Sequence, residues 1–296
     1  MKSHSLLVGA DYGDTTEATI GFAADLAKKL DCRLQLCHVM ESLPYAIHSA
    51  GPLAEEQMLK ENAAELERLA SLVSDCPATA LPPRIGKPHH VLLEVAKKTD
   101  TLAVVIGAAY KPTIERVVVG VTAEKIVQSA VRPVFLYHPK DSHSISKILC
   151  AVDYSDHSRR ALANAGELAK RLGAQLEAVH IETSSLAHAD LYSYQAYPAS
   201  SPCTQPDTER LRKFVREYVP PLVETSISVR SGAPVAEILA ACESSKPDLL
   251  VVGSHGAGGF VHRILGNVTT RIVRDVPCTI LVIGEECLFS DSGDTK

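Results

Sequence analysis

The chain lacks several features that would have assigned it at once. It has no excess of positive charge: 30 Lys and Arg stand against 35 Asp and Glu, a net charge of −5. Nothing therefore suggests the basic patch that nucleic acid calls for. No run approaches the roughly eighteen apolar residues of a membrane span. The apolar stretch in the opening segment, MKSHSLLVGADYGD, is too short for a signal peptide. A cytoplasmic protein without membrane or nucleic-acid partners is expected. None of the eight cysteines forms a C-x2-C pair, and most sit inside apolar segments. They read as reduced core residues, not as a disulfide framework. His89-His90 and Cys37-His38 invite a zinc reading, but no set of four ligands has metal-site spacing. What the chain does have is apolar material. It is 46% hydrophobic over 296 residues, enough for two buried cores.

Sliding the chain on itself reveals a repeat. Asp11-Tyr12 falls on Asp153-Tyr154 and His38 on His180, each 142 positions on. Gly86-Lys87-Pro88 falls on Gly232-Ala233-Pro234, Gly107 on Gly253 and Gly120 on Gly266, each 146 positions on. VRPVFLYH at 131–138 falls on DVPCTILV at 275–282. The small changes of offset read as loop insertions. Two domains follow, 1–140 and 146–285, joined by the polar stretch PKDSHSIS at 139–146. Each has an ordinary domain length.

Within a repeat, strand and helix alternate. Ile148–Val152 is an unbroken apolar run, as expected for a strand covered on both faces. Ser155 or Asp156 can cap the next helix. Its apolar positions Ala161, Leu162, Ala165, Leu168, Ala169 and Leu172 recur at helical spacing, and Gly173 ends it. Strands follow at Leu176–Ile181, Thr225–Val229, Leu249–Val252 and Thr279–Ile283. Helices are expected over Glu209–Val219, from Pro234 through Ala241, and across Thr269–Arg274. In the first repeat, Leu53–Val73 reads as a helix that packs on the core. Strands separated by helices imply right-handed βαβ units and a mainly parallel sheet. Ligands of such sheets sit beyond the carboxyl ends of the strands. That edge carries Asp153, Ile181 and Gly253.

Leu249-Leu250-Val251-Val252 ends in Gly253, and Gly256 and Gly266 follow, giving G-x2-G-x9-G. A strand that stops at a glycine loop before a helix offers backbone N–H groups to an anion. The competing reading is a plain strand-to-loop turn. The order VDYSDHS, AVHI, G-x-P, VVGSHGAGG, LGNVTTRI and VPCTILVI resembles the universal stress protein family, and two copies resemble its tandem members. The resemblance spans roughly 5–139 and 147–284. It implies, for each repeat, a five-stranded mainly parallel open sheet with helices on both faces, Rossmann-like and similar to adenine nucleotide alpha hydrolases. It also implies a cleft for ATP or AMP, with magnesium as an accompanying ion. The last strand pairs subunits in this family, so the second repeat is an expected intramolecular partner, with a homodimer as a further option.

Carried over residue by residue, the resemblance places Ala151 and Asp153 at the nucleoside end and the Ile181 backbone at the adenine edge. Gly253, Ser254, His255 and Gly256 form the loop near ribose and phosphates. Gly266, Asn267 and Val268 form a second phosphate segment. Asn267 stands where the family's nucleotide-binding signature has Ser or Thr. In the first repeat, Asp11 and Val39 keep the nucleoside end, together with Gly107 and Gly120. There Tyr110 replaces the second glycine, and Gly120-Val121-Thr122 replaces the glycine–serine pair. Nucleotide binding is therefore expected mainly in the second repeat, with the first weak or empty.

Plainer roles compete. Asp153 can serve as a helix cap, and His38 and His180 read as satisfied, half-buried side chains. His255 can meet phosphate or only solvent. The long segment Glu182–Asp207, with Tyr192, Tyr194 and Tyr197, reads either as a lid on the second cleft or as a loop packed on the neighbouring repeat. The expected function is nucleotide-dependent regulation in a stress response. Slow ATP hydrolysis is one alternative, although no lysine stands in the glycine loop and no carboxylate pair is placed for magnesium. A binder of another ligand, such as a lipid-linked or sugar nucleotide, is the other.

Overall fold

The computed structural model describes residues 4–41, 44–111, 116–139, 143–183, 208–256, 266–275 and 277–289. The first repeat runs β1 (Ser5–Ala10), α1 (Thr16–Lys29), β2 (Arg33–Met40), α2 (Pro44–Ser71), β3 (Ala78–Ala80), β4 (Arg84–Ile85) and α3 (Pro88–Lys98). It continues with β5 (Thr101–Gly107), the short β6 (Ala109–Lys111) and β7 (Arg116–Val118), α4 (Val121–Ser129) and β8 (Val134–Tyr137). The second runs β9 (Lys147–Val152), α5 (Asp156–Leu172), β10 (Gln175–Glu182), α6 (Thr208–Tyr218), β11 (Thr225–Ser231), α7 (Pro234–Ser245), β12 (Leu249–Gly253), α8 (Asn267–Asp275) and β13 (Thr279–Ile283).

Each repeat forms one parallel sheet. In the first the strands lie β3-β2-β1-β5-β8, and in the second β11-β10-β9-β12-β13. The central strands are apolar on both faces because helices cover both. Along β1, Leu6, Val8 and Ala10 join a core that also holds Ile20, Leu66, Ala161 and Leu211 of α1, α2, α5 and α6. Leu7 points the other way, into a core with Leu92, Ile126, Ile238 and Ile272 of α3, α4, α7 and α8. Period-two side-chain alternation thus divides the helices into two layers. Both cores run through both repeats.

They can do so because β8 and β13 pair antiparallel, with Phe135 opposite Leu281 and Val134 opposite Val282. The two sheets become one continuous sheet of eleven strands among the described residues. Around this join the His138 N–H donates to Thr279 Oγ1 at 3.1 Å. The Glu286 N–H donates to the Val131 carbonyl at 3.1 Å. Arg274 pairs with Glu124 at 2.6 Å and Arg132 with Glu286 at 2.5 Å. The second repeat is therefore the partner of the first.

Local signals placed most elements. Ser155 caps α5 by accepting from the Ser158 N–H, and Gly173 at φ 66° ends it. Pro88 and Pro234 sit in the first turns of α3 and α7. The helix read as Leu53–Val73 begins earlier, at Pro44, and is broken at Gly51 (φ 77°, ψ 170°), after which Pro52 restarts it. Leu66 and Leu69 reach the core, whereas Leu53 is 83% exposed. Cys32, Cys37, Cys76, Cys150, Cys242 and Cys278 are buried, and Cys287 is half-buried. The segment from 184 to 207, with its three tyrosines, lies outside the described residues.

Phe135 is fully buried at the centre of the join and packs edge-on against Phe22. Phe135→Ala should lower unfolding stability by about 3–5 kcal/mol, read from urea denaturation of the intact chain.

Candidate functional site

β9 pairs with β10 on one side and β12 on the other. Its carboxyl end is thus the point where connections leave in opposite directions, the place where ligands of such sheets bind. Asp153 is the first residue past β9. Its Oδ1 accepts from the Ser155 N–H at 3.0 Å and the Ser155 hydroxyl at 2.5 Å. Of the three cap candidates Asp153, Ser155 and Asp156, Ser155 has the role, and Asp153 organises the turn leading into it.

The residue between them, Tyr154, has φ 63°. That conformation is unusual for a non-glycine residue and needs support from its surroundings. Its ring lies 4.4 Å from the His180 ring, and His180 Nδ1 lies 2.7 Å from the Val152 carbonyl. A carbonyl only accepts, so Nδ1 carries the proton. The first repeat copies the arrangement. Tyr12 has φ 59°, its ring stacks on His38 at 4.0 Å, and His38 Nδ1 donates to the Ala10 carbonyl at 2.7 Å. The paired histidines thus clamp the ends of β9 and β1, which accounts for the recurrence of Asp-Tyr with a distant His.

The glycine loop has two steric requirements. A Cβ on Gly253 would stand 2.9 Å from the His157 backbone, because α5 starts directly over the end of β12. A Cβ on Gly256 would stand 2.6 Å from Asp153 Oδ2. The loop therefore lies against the Asp153 carboxylate, 103 residues away in sequence. Gly253, Ser254, His255, Gly256, Gly266 and Asp153 form one cluster. Not every amide faces the crevice. The Ser254 N–H donates to the Ile283 carbonyl and the Gly266 N–H to the Ser254 carbonyl, each at 2.8 Å.

The Gly266 carbonyl accepts from the Thr270 N–H at 2.9 Å, so Gly266 occupies the N-cap position and the exposed Asn267 starts α8. Helix geometry leaves the N–H groups of Asn267, Val268 and Thr269 without a carbonyl inside the helix. With the helix dipole they make the start of α8 an anion-binding end. Thr269 serves the packing instead. Its buried hydroxyl donates to the Gly253 carbonyl at 2.8 Å and ties α8 to β12. Ile181 is half-buried near the end of β10, and Ala151 packs partly buried on the face covered by α7 and α8.

Sequence reasoning missed His157. It sits in the first turn of α5, with its ring 4.9 Å from that of His255, and His255 Nδ1 lies 2.9 Å from the Ser254 hydroxyl. The only sequence signal for it was its place four residues after Asp153. Burial first, then His255 and Arg160, hold the His157 pKa below its ordinary 6.5, against an opposing pull from Asp156 and Asp153. Among the described residues no group of three His, Cys, Asp or Glu is placed to hold a metal ion.

The first repeat has the same edge with different walls. Asp11 Oδ1 accepts from the Gly13 N–H at 3.0 Å and the Thr16 hydroxyl at 2.8 Å. A cavity of about 280 Å³ opens beside it, bounded by Val39, Gly107, Gly120, Leu92 and Ile126 among others. This cleft has room for a molecule, although the sequence suggested a weak or empty site. The Tyr110 side chain lies outside the described residues. Its backbone belongs to β6, which pairs antiparallel with β7. Cys37 lines the cavity, and burial pushes its thiol up to about 11, so it stays protonated near neutral pH.

Because His157 is held below 6.5 in the folded chain, the unfolded chain binds a proton at pH values where the folded one does not. Stability from this group is complete above that range and declines as pH falls through 6.5. In thermal melts from about pH 7 to 5, His157→Gln should flatten the fall in melting temperature relative to the parent chain.

A profile of the Universal stress protein family matches residues 2–138 and again 144–284. A universal stress protein of Mycolicibacterium smegmatis is 25% identical over 304 aligned positions, covering 95% of this chain and 97% of that protein. One from Thermus aquaticus is 30% identical over 138 positions, covering 46% of this chain and 96% of its own length. The crystal structure of a universal stress protein from Archaeoglobus fulgidus superposes with a TM-score of 0.69 at 20% identity, covering 97% of this chain and all of that one. No described helix is long and apolar enough to cross a membrane. With both halves matched, the chain belongs to the universal stress protein family, as a member with two repeats.

Proposed function

We propose that this protein is a regulatory binder of an adenine nucleotide, ATP or AMP, held in the cleft of the second repeat. The observation that carries the reading is the approach of Gly256 to Asp153: the loop closes on the carboxylate so tightly that a Cβ there would push the Asp153 carboxylate aside. One end of the crevice then presents an acceptor for amino or hydroxyl donors. The other end presents the first-turn amides of α8, which suit a phosphate. His157 and His255 stand between them and can donate to a phosphate oxygen, more strongly when protonated. Ile181, at the neighbouring strand end, offers its backbone to a base edge. A magnesium ion arriving with the nucleotide would be held largely by phosphate oxygens and water, with Asp153 as the nearby carboxylate.

Binding at this place has a route to the rest of the chain. α8 starts at the phosphate end and carries Arg274 in its last turn, which pairs with Glu124 on α4 of the first repeat. Ligand contacts at the N-terminus of α8 therefore act on a helix that also belongs to the join.

Two outcomes test this reading. Calorimetric titration of the intact chain with ATP and with AMP should show a site that Gly256→Val weakens at least tenfold, about 1.4 kcal/mol, by displacing Asp153. Retained affinity in that variant would refute the assignment. As pH falls below 6.5 and His157 gains a proton, affinity for AMP should rise in the parent chain relative to His157→Gln.

A further inference from the structure

Two cysteines of the first repeat enter the sheet side by side. β2 and β3 pair in parallel with Leu34 opposite Ala78. Cys32 and Cys76 each stand two residues before that pair, where the two segments come into the sheet. The Leu34 N–H donates to the Pro77 carbonyl at 2.8 Å, so the segments are already in register there. Period-two alternation puts Cys32 on the face of Leu34 and Cys76 on the face of Ala78. Both side chains accordingly belong to the same core, where they are 1% and 4% exposed. Neighbouring strands lie about 4.8 Å apart, within the roughly 4.4–6.8 Å between Cα atoms that a disulfide spans. Cys37 faces the opposite core, and Cys150 lies in β9 in the middle of the joined sheet. The second repeat lacks the pair. Its corresponding register sets Leu176 opposite Thr225, and two residues before them stand Ala174 and Val223, packed in the same core. An apolar side chain therefore satisfies the packing at both places, and cysteine adds chemistry that packing does not require.

We propose that Cys32 and Cys76 are a redox pair that hydrogen peroxide converts to a disulfide. The sulfur of one thiolate attacks a peroxide oxygen, the O–O bond breaks, and a sulfenic acid and water result once the leaving hydroxide takes a proton. The second sulfur then attacks the sulfenic sulfur. The S–S bond forms, the S–O bond breaks, and a second water leaves. The two thiols together lose two electrons and two protons, and the peroxide is reduced to two waters. A dithiol reverses the change by exchange. Access comes through the edge of the sheet. β3 has three residues, is only partly covered and ends the strand order beside β2. A short edge strand belongs to the low-stability end of a fold, and its local opening uncovers both sulfurs. A cavity of about 210 Å³ opens between α1 and the turn before Cys76, bounded by Lys28, Leu72, Val73 and Asp75 among others. It has room for a peroxide. The new bond closes residues 32–76 into a ring that holds β2 and α2. These carry His38, which stacks on Tyr12, and Asn62, whose carbonyl accepts from the Tyr12 hydroxyl at 2.8 Å. Oxidation thus ties together the two elements that hold Tyr12 in place.

The test treats the intact chain with hydrogen peroxide, alkylates it under denaturing conditions and maps its peptides by mass spectrometry. A peptide pair linked through Cys32 and Cys76, and released by dithiothreitol, is the expected product. The oxidised chain should melt about 5 °C above the reduced one, and dithiothreitol should reverse the shift. Cys32→Ala and Cys76→Val, which match Ala174 and Val223 of the second repeat, should each keep the fold and abolish both the link and the shift. Circular dichroism of the untreated variants checks their folding, and the peptide map of the parent chain decides the pairing without them. Both thiols still open to alkylation after peroxide, sulfinic acid at either residue with no link, Cys76 joined to a different cysteine, or a shift that survives Cys32→Ala would overturn the proposal.

Discussion

The antiparallel pairing of β8 with β13 is the constraint on which the rest of the molecule depends. Each repeat ends on an apolar strand at the edge of its sheet. An unpaired edge of that kind exposes a row of backbone donors and acceptors and invites association with another chain. Here the two edges satisfy each other within one chain. The pairing lets two apolar cores continue from one repeat into the other, and it sets α4 beside α8. A further homodimer would have to use a different surface, because both fifth-strand edges are already occupied.

A second device recurs at the opposite end of each repeat's path. The strand that begins the repeat stops at an aspartate, and the following tyrosine takes a left-handed backbone conformation. Such a conformation is unfavourable for a bulky residue unless its neighbours hold it. A histidine from the next strand does so, its ring against the tyrosine ring while it donates to the carbonyl before the aspartate. The histidines thus serve geometry. They fix the direction in which Asp11 and Asp153 face the crevice, and so bear on function through position.

The two repeats share this strand-end arrangement and differ at the loop that faces it. In the second, two imidazoles flank the crevice and α8 begins with amides that no carbonyl of its own helix can take. In the first, threonine and alanine stand in place of the imidazoles, and the paired β6 and β7 stand at the loop. Local electrostatics therefore diverged while backbone topology was kept. Duplication permits this because each cleft is built from its own repeat, and a change of wall in one leaves the fold of the other intact.

The sequence alone determined a good deal. The repeat, the alternation of strand and helix, the cap at Ser155, the stop at Gly173 and the strand-end position of Asp153 and Gly253 were legible, because each depends on contacts within a few residues or on hydrophobic period. The earlier start of α2 and its break at Gly51 were not, since a glycine–proline step can end a helix or bend it. His157 was invisible for a stronger reason: its neighbour His255 is 98 residues away, and only the packing of α5 over β12 brings them together. The same holds for the amides of Ser254 and Gly266, which the motif offered to a ligand and the fold ties to carbonyls. Spacing fixes which groups reach the edge of the sheet. Which of them remain open to a ligand is decided by contacts between segments far apart in the chain, and those exist only once the sheet has formed.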